Sequence, residues 1–304
     1  MTDWLNYRAS ELYRYLWLQA NVSPGCGTGA ELARWGSIDT NGCFSSSPSL
    51  ETIGFFARCV VDLQILAGAV GIIPGVPSAT SSILRSCRFA FIKTDQFTVH
   101  ASEDLQHVWR LAMQVLSDAG ASIEEIDLGP EYDNMGNSYE ICDEQVANSL
   151  KAHYLSDRQD MSQGLAKLVE TGGGVSHLEA QRHRDHMASL RPKFDKLARQ
   201  YSAIITPSCA GEAPIKAEYD AETRFCGLWT ALHVPVISVP GFVGSASLPI
   251  GLSLVGPRWA ILNSASDQAD CRRHGDESLL DIASLVAQIF TGNGSEVTAD
   301  KSFR

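Results

Sequence analysis

FCGLWTALHVPVISVPGFVGSASLPIGLSLVGPR, residues 225–258, decides the fold. Val234 to Gly241 is a short β-branched run framed by Pro235 and Pro240, and Leu248 to Pro257 is a second apolar run after a small-residue turn. β-Branched runs bounded by Gly and Pro favour buried strands over helices.

Working outward, Phe89 to Ile92 reads as a short buried strand and Ser122 to Leu128 as another. Between them, Ser102 with Glu103 and Asp104 caps a helix running to Ala119 and stopped by Gly120. Strand, helix, strand in this order predicts a βαβ unit in a mainly parallel sheet. Ala203 to Thr206 is a further strand. Ile53, Phe56, Val60, Leu63 and Leu66 recur at helical spacing and predict a helix from Glu51 to Val70. Glu140 to Tyr201 reads as polar helix broken at Gly172 to Gly174, and Glu277 to Phe290 as a last amphipathic helix. Tyr7 to Leu18 is an aromatic-rich helix candidate; residues 23–48 and 74–82 read as loop.

The chain has 304 residues, 44% hydrophobic and 19% charged, enough for a large globular core. A formal charge of -11 argues against nucleic acid and anionic membrane as partners. The eight cysteines are scattered without a CxxC pair, which fits free thiols in a reducing compartment. With no apolar run approaching the length of a membrane span, the expected location is cytoplasmic.

The strand pair resembles the C-terminal signature of the amidase signature family: Trp229-Thr230, then a PxISVPG strand, then LPxGLxLVGPR. Ser47-Pro48-Ser49-Leu50-Glu51-Thr52-Ile53-Gly54, followed by Ala57-Arg58 and Asp62, is similar to the family segment that follows its catalytic block. Ala119-Gly120-Ala121 and Ala203 to Ser208 match further family elements in order. The resemblance implies a mixed, mainly parallel α/β sheet covered by helices on both faces, as an N-terminally truncated version of the family fold. It divides the chain into an irregular segment 1–41, a family-like region 42–290 and a flexible tail 291–304. It places Arg58 and Asp62 as a structural pair four apart on one helix face.

The family cleaves amides with a Ser-Ser-Lys set. Residues 1–92 contain no lysine. Ser23 to Glu31 is similar in outline to the family's serine-glycine loop, with Cys26, Gly27 and Thr28 where Gly, Ser and Ser are usual. Trp35 to Asp39 echoes the nucleophile element in one register. In a second register, which needs no gap between Trp35 and Gly54, that element is absent and Ser37 is a strand residue. Ser37 and Thr28 are therefore the only catalytic candidates. Thr206, Ser208 and Trp229 are, by the same resemblance, walls of the substrate pocket.

His177, His183 and His186 share one predicted helix, but nothing resembling HExxH accompanies them, and no metal site is assigned. Gly172 to Gly174 lacks the strand and Lys-Ser/Thr context of a phosphate loop. The expectation is an amidase-like hydrolase acting on a small-molecule carboxamide without metal or cofactor. Its missing Lys and Ser leave open that this chain does not turn over. The alternative is a non-catalytic remnant or pseudoenzyme that binds a ligand or partner. Self-association or a partner is expected to cover the missing N-terminal half.

Overall fold

The structure, a computed structural model, describes residues 29–32, 35–57, 59–73, 84–133, 136–212, 225–259 and 275–297. The signature strands form a hairpin. β6 (Val236–Val243) pairs antiparallel with β7 (Pro249–Val255), placing Ile237 opposite Leu254 and Ser238 opposite Ser253. The tip is stapled from outside. Glu212 accepts from the backbone of Ala246 and Leu248, and Asp104 accepts from the backbone and hydroxyl of Ser245.

Five more strands join the same sheet: β1 (Gly29–Leu32), β2 (Gly54–Ala57), β3 (Arg88–Ile92), β4 (Ser122–Ile126) and β5 (Ala203–Pro207). The order is β2-β1-β6-β7-β5-β3-β4. The sequence-predicted strands near Phe89, Ile123, Ile204, Ile237 and Leu252 thus share one sheet. The sheet is mixed, as expected, but it is not mainly parallel: β3 pairs parallel with β4 and β5, while the other four pairings are antiparallel. For the central β6–β7 pair the physical reason is connection length. A parallel pair needs a crossover of a dozen or more residues, and the five residues between β6 and β7 permit only a hairpin.

Alternation along the strands defines two faces. Phe89 and Phe91, Ala203 and Ile205, Ile237 and Val239, and Leu252 and Leu254 point to one. There they meet α1 (Val60–Ala69), α2 (Asp95–His100), α3 (Glu103–Asp118) and α8 (Gly275–Val297). Trp109 of α3 packs edge-on against Phe91 at 4.9 Å. Ser102 Oγ accepts from Leu105 N at 3.1 Å, a cap worth about 1 kcal/mol to α3. Gly241 is required here, because an added Cβ would come within 2.3 Å of Phe290 Cβ on α8. Ala90, Ile92, Ile204, Val236 and Val255 point to the other face. They meet α4 (Gly136–Asp157), α5 (Gln163–Gly172), α6 (His177–Ala198) and α7 (Gly227–Leu232). A Cβ on Gly172 would collide with the Asp143 carbonyl, so glycine lets α4 and α5 cross closely.

Two expectations change near the N-terminal end. Residues 29–32 are strand rather than loop, and the helix expected from Glu51 begins only at Val60, after β2. Pairing of Gly54–Ala57 with β1 overrides the helical spacing that included Phe56. Glu51 is occupied elsewhere: its carboxylate accepts from the backbone of Ser46 and Ser47 and the hydroxyls of Ser45 and Ser46. α8 runs past Phe290 to Val297. The helix candidate at residues 7–18, the loop at 74–82, and Arg58 lie outside the described residues. Asp62 stands half-buried in the first turn of α1. No helix among the described residues is long and apolar enough to cross a membrane.

Candidate functional site

A cleft of about 590 Å³ opens beside α6. Trp35 and Gly36 lie on one side, with Ser49 and Leu50 next to them; Arg184, Asp185, Met187, Ala188 and Arg191 of α6 form a wall. His233, Arg258 and Trp259 complete it.

α6 starts firmly. Ser176 Oγ accepts from Glu179 N, and the Glu179 carboxylate accepts from Ser176 N, each at 3.2 Å. Near its end the helix carries Pro192. Proline has no N–H to donate to the Ala188 carbonyl four residues back, so the ladder has a gap at the cleft wall. Arg191, just before that proline, donates from Nε to the Ala231 carbonyl at 3.0 Å, tying α6 to the end of α7.

His233 caps α7 with φ 62°, a left-handed conformation that glycine usually occupies. Its Nε2 lies 2.7 Å from the Ser49 carbonyl oxygen. A carbonyl can only accept, so this nitrogen carries the ring proton. The Arg191 guanidinium also reaches to within 3.0 Å of it. Burial, and then the Arg191 charge, push the imidazole down to about 3, so the ring is neutral at physiological pH. Trp35 stacks on it with centroids 4.5 Å apart and planes 14° from parallel. Trp35 Nε1 donates to the Pro48 carbonyl at 3.1 Å.

The loop carrying Ser49 is fixed from α4. Gln145 Oε1 accepts from Ser47 Oγ at 2.8 Å, Ser49 Oγ at 3.0 Å and Ser49 N at 3.2 Å. The other two cationic walls are paired: Arg184 with Glu144 at 3.0 Å and Arg258 with Asp195 at 2.7 Å.

The sequence-predicted residues sit elsewhere or beside this cleft. Ser37 follows the Trp35-Gly36 turn in a bend, half-buried, and is not on a strand. Thr28 lies outside the described residues. Thr206, Ser208 and Trp229 are interior: Thr206 faces Ser253 across β5 and β7, and Ser253 faces Ser238 across β7 and β6. Ser208 Oγ lies 2.9 Å from Ser238 Oγ and 2.8 Å from Ser253 Oγ, all three buried. Thr206 Oγ1 and Trp229 Nε1 are buried without a hydrogen-bond partner among the described residues. Sequence reasoning missed Arg191, His233 and Arg258 as one site. The available signals were an arginine before a mid-helix proline, a histidine where a helix would end on glycine, and the arginine closing the LVGPR run.

An amidase family model matches residues 31–260, which includes every cleft residue. The chain belongs to the amidase family. A glutamyl-tRNA(Gln) amidotransferase subunit of Granulibacter bethesdensis is 21% identical over 283 residues, covering 78% of this chain and 54% of that protein. The corresponding subunit of Alkaliphilus metalliredigens is 23% identical over 288 residues, covering 77% and 57%. Among solved structures, a fatty acid amide hydrolase superposes with a TM-score of 0.67 at 17% identity, covering 88% of this chain and 54% of that one. A chain from a vestigial protein complex tied to the origins of an s-triazine catabolic enzyme gives 0.70 at 18%, covering 89% and 60%. At these identities the structural likeness is one of fold. This amidase-family chain spans little more than half the length of its curated relatives.

Proposed function

We propose that this chain is an amidase-like hydrolase whose cleft takes a small-molecule carboxamide, and that as it stands it binds such a ligand better than it cleaves it. The carrying observation is that the cleft is built entirely within the family-matched stretch, from Trp35 to Trp259. Cleavage of an amide needs an activated nucleophile and donors for the oxyanion. The one hydroxyl lining the cleft among the described residues, Ser49 Oγ, donates to Gln145, and no described lysine lines it. His233, held neutral down to about pH 3, is too weak a base for work near pH 7.

Those same facts favour a second reading, a pseudoenzyme that binds a ligand or partner. Ser37, adjacent to the cleft-lining Gly36, is the nucleophile candidate that separates the two. The test is ammonia release from a panel of aliphatic and aromatic carboxamides by the purified chain and by Ser37→Ala. Turnover lost in the variant supports the hydrolase; saturable amide binding without turnover supports the second reading. Covering by a partner or a second copy is part of the proposal. β2 is a sheet edge among the described strands, and Val61 and Ile65 form a half-exposed apolar stripe on α1 beside it. Light scattering of the chain against Val61→Glu/Ile65→Glu, which should reduce self-association, checks it.

A further inference from the structure

We propose that the cleft binds a small organic monocarboxylate through Arg191, with the apolar body of the acid against Trp35 and Trp259. This rests on reading the cleft as a ligand site, but it holds whether or not an amide is cleaved there.

Charge accounting inside the cleft leads to Arg191. Arg184 is balanced by Glu144, and Arg258 is held by Asp195. Arg191 has no carboxylate partner among the described residues. The one described acceptor that engages it is the Ala231 carbonyl, through Nε. Its terminal nitrogen approaches His233 Nε2, whose proton is already committed to the Ser49 carbonyl, so no lone pair is offered there. Among the described residues, this half-buried guanidinium is left with donors unspent beside an open cleft. Burial, and then the nearby Arg258 charge, lower its pKa to about 10, consistent with a cation that lacks a counter-charge. The remaining carboxylate of the cleft, Asp185, is exposed and accepts from Gln181 Nε2 at 3.0 Å.

Arg191 is the one cation of the lining without an ion-pair partner among the described residues, and a single cation calls for a monoanion. A dianion such as phosphate would bring a second charge with no free cation opposite it. The planar guanidinium fork matches a carboxylate with two parallel hydrogen bonds. The rest of the lining is apolar: Leu50, Met187, and the indoles of Trp35 and Trp259, both more than 40% exposed. The Trp35 ring is held flat by its stack on His233, ready to receive an aromatic or aliphatic body. A volume of about 590 Å³ lies within the usual range for small-ligand sites.

The probes are benzoate, its neutral analogue benzamide, and inorganic phosphate, titrated into the chain at pH 7 while tryptophan fluorescence is followed. Saturable quenching by benzoate is expected, with benzamide and phosphate at least about tenfold weaker, the loss of one charge-assisted contact. Arg191→Gln should weaken benzoate by roughly tenfold or more and benzamide clearly less, narrowing the preference for the acid, while Arg191→Lys should fall between. Equal binding of benzoate and benzamide, tighter binding of phosphate, or unchanged benzoate affinity in a folded Arg191→Gln would overturn the proposal. Arg191 also ties α6 to α7, so that variant can lose stability. The benzoate and benzamide comparison uses the unaltered chain and decides the matter without it. Because the readout is binding, a failure to hydrolyse amides leaves this result untouched.

Discussion

Arg258 clasps Asp195 with three donors: its backbone N at 2.9 Å to Oδ1, and Nε at 2.9 Å and a terminal nitrogen at 2.7 Å, both to Oδ2. The clasp fastens the chain leaving β7 to α6, and so fixes the Arg258 wall of the cleft. The Asp195 side chain is only 6% exposed and that of Arg258 20%.

Removing one partner of such a pair leaves a buried charge unsatisfied, which costs about 3–5 kcal/mol, whereas exposed pairs contribute under about 1 kcal/mol. Asp195→Ala is therefore expected to lower the denaturation midpoint strongly. Breaking the exposed Arg158–Glu170 pair should barely move it. Urea unfolding of both variants makes the comparison, and equal midpoints would reject a structural role for the clasp.

Acid should act on this protein through His233. Burial and Arg191 hold its imidazole near 3, below the ~6.5 of an unfolded histidine. As pH falls from about 6.5 toward 3, the unfolded chain takes up a proton that the folded chain refuses. The stability tied to this group is complete above about 6.5 and declines through that window. His233→Asn keeps a residue tolerant of the left-handed conformation and removes the titration. Melting temperatures measured between pH 7 and 4 should fall less steeply for the variant. Parallel curves would show that His233 is not the group responsible.

Thr206 offers a test of opposite sign. Its hydroxyl is fully buried and unpartnered among the described residues, a state that costs about 1–3 kcal/mol. Thr206→Val removes the polar group and keeps the shape, so thermal stability should hold or rise. A clear fall would mean that the hydroxyl has a partner in solution, such as an ordered water bridging to Trp229 Nε1 or the Ser208–Ser238–Ser253 group.

What could be read from the sequence follows a physical line. Phe89 to Ile92, Ala203 to Thr206 and the two signature runs announced themselves as strands because buried strands need β-branched or aromatic runs wherever they pair. The antiparallel hairpin was also readable, since Gly244 to Leu248 is too short for a crossover. β1 and β2 were not: GAEL has no β-branched or aromatic residue, the phenylalanines of GFFA fall in a spacing that reads as helix, and the two strands gain their structure from pairing with each other and, for β1, with β6. The cleft was hidden for a related reason. Arg191, His233 and Arg258 are far apart in sequence, and only the packing of α6 on α7 and the end of β7 brings them together. Thr206, Ser208 and Trp229 carry the family pattern, yet nothing in that pattern states how deeply they are buried.

Turnover is the sharpest remaining expectation. The described cleft offers one hydroxyl, already engaged by Gln145, and one imidazole too weak to accept its proton. Loss of an oxyanion donor alone costs roughly 100- to 1000-fold in an enzyme of this chemical kind, and loss of the nucleophile's base costs more. Ammonia release from simple carboxamides by the intact chain should therefore be no faster than from Ser37→Ala, while carboxamide binding stays equal in the two. A rate well above background that disappears in Ser37→Ala would make Ser37 the nucleophile. It would require a base near that bend, and a mutational scan of the chain's lysines, starting with Lys93 and Lys151, would find it.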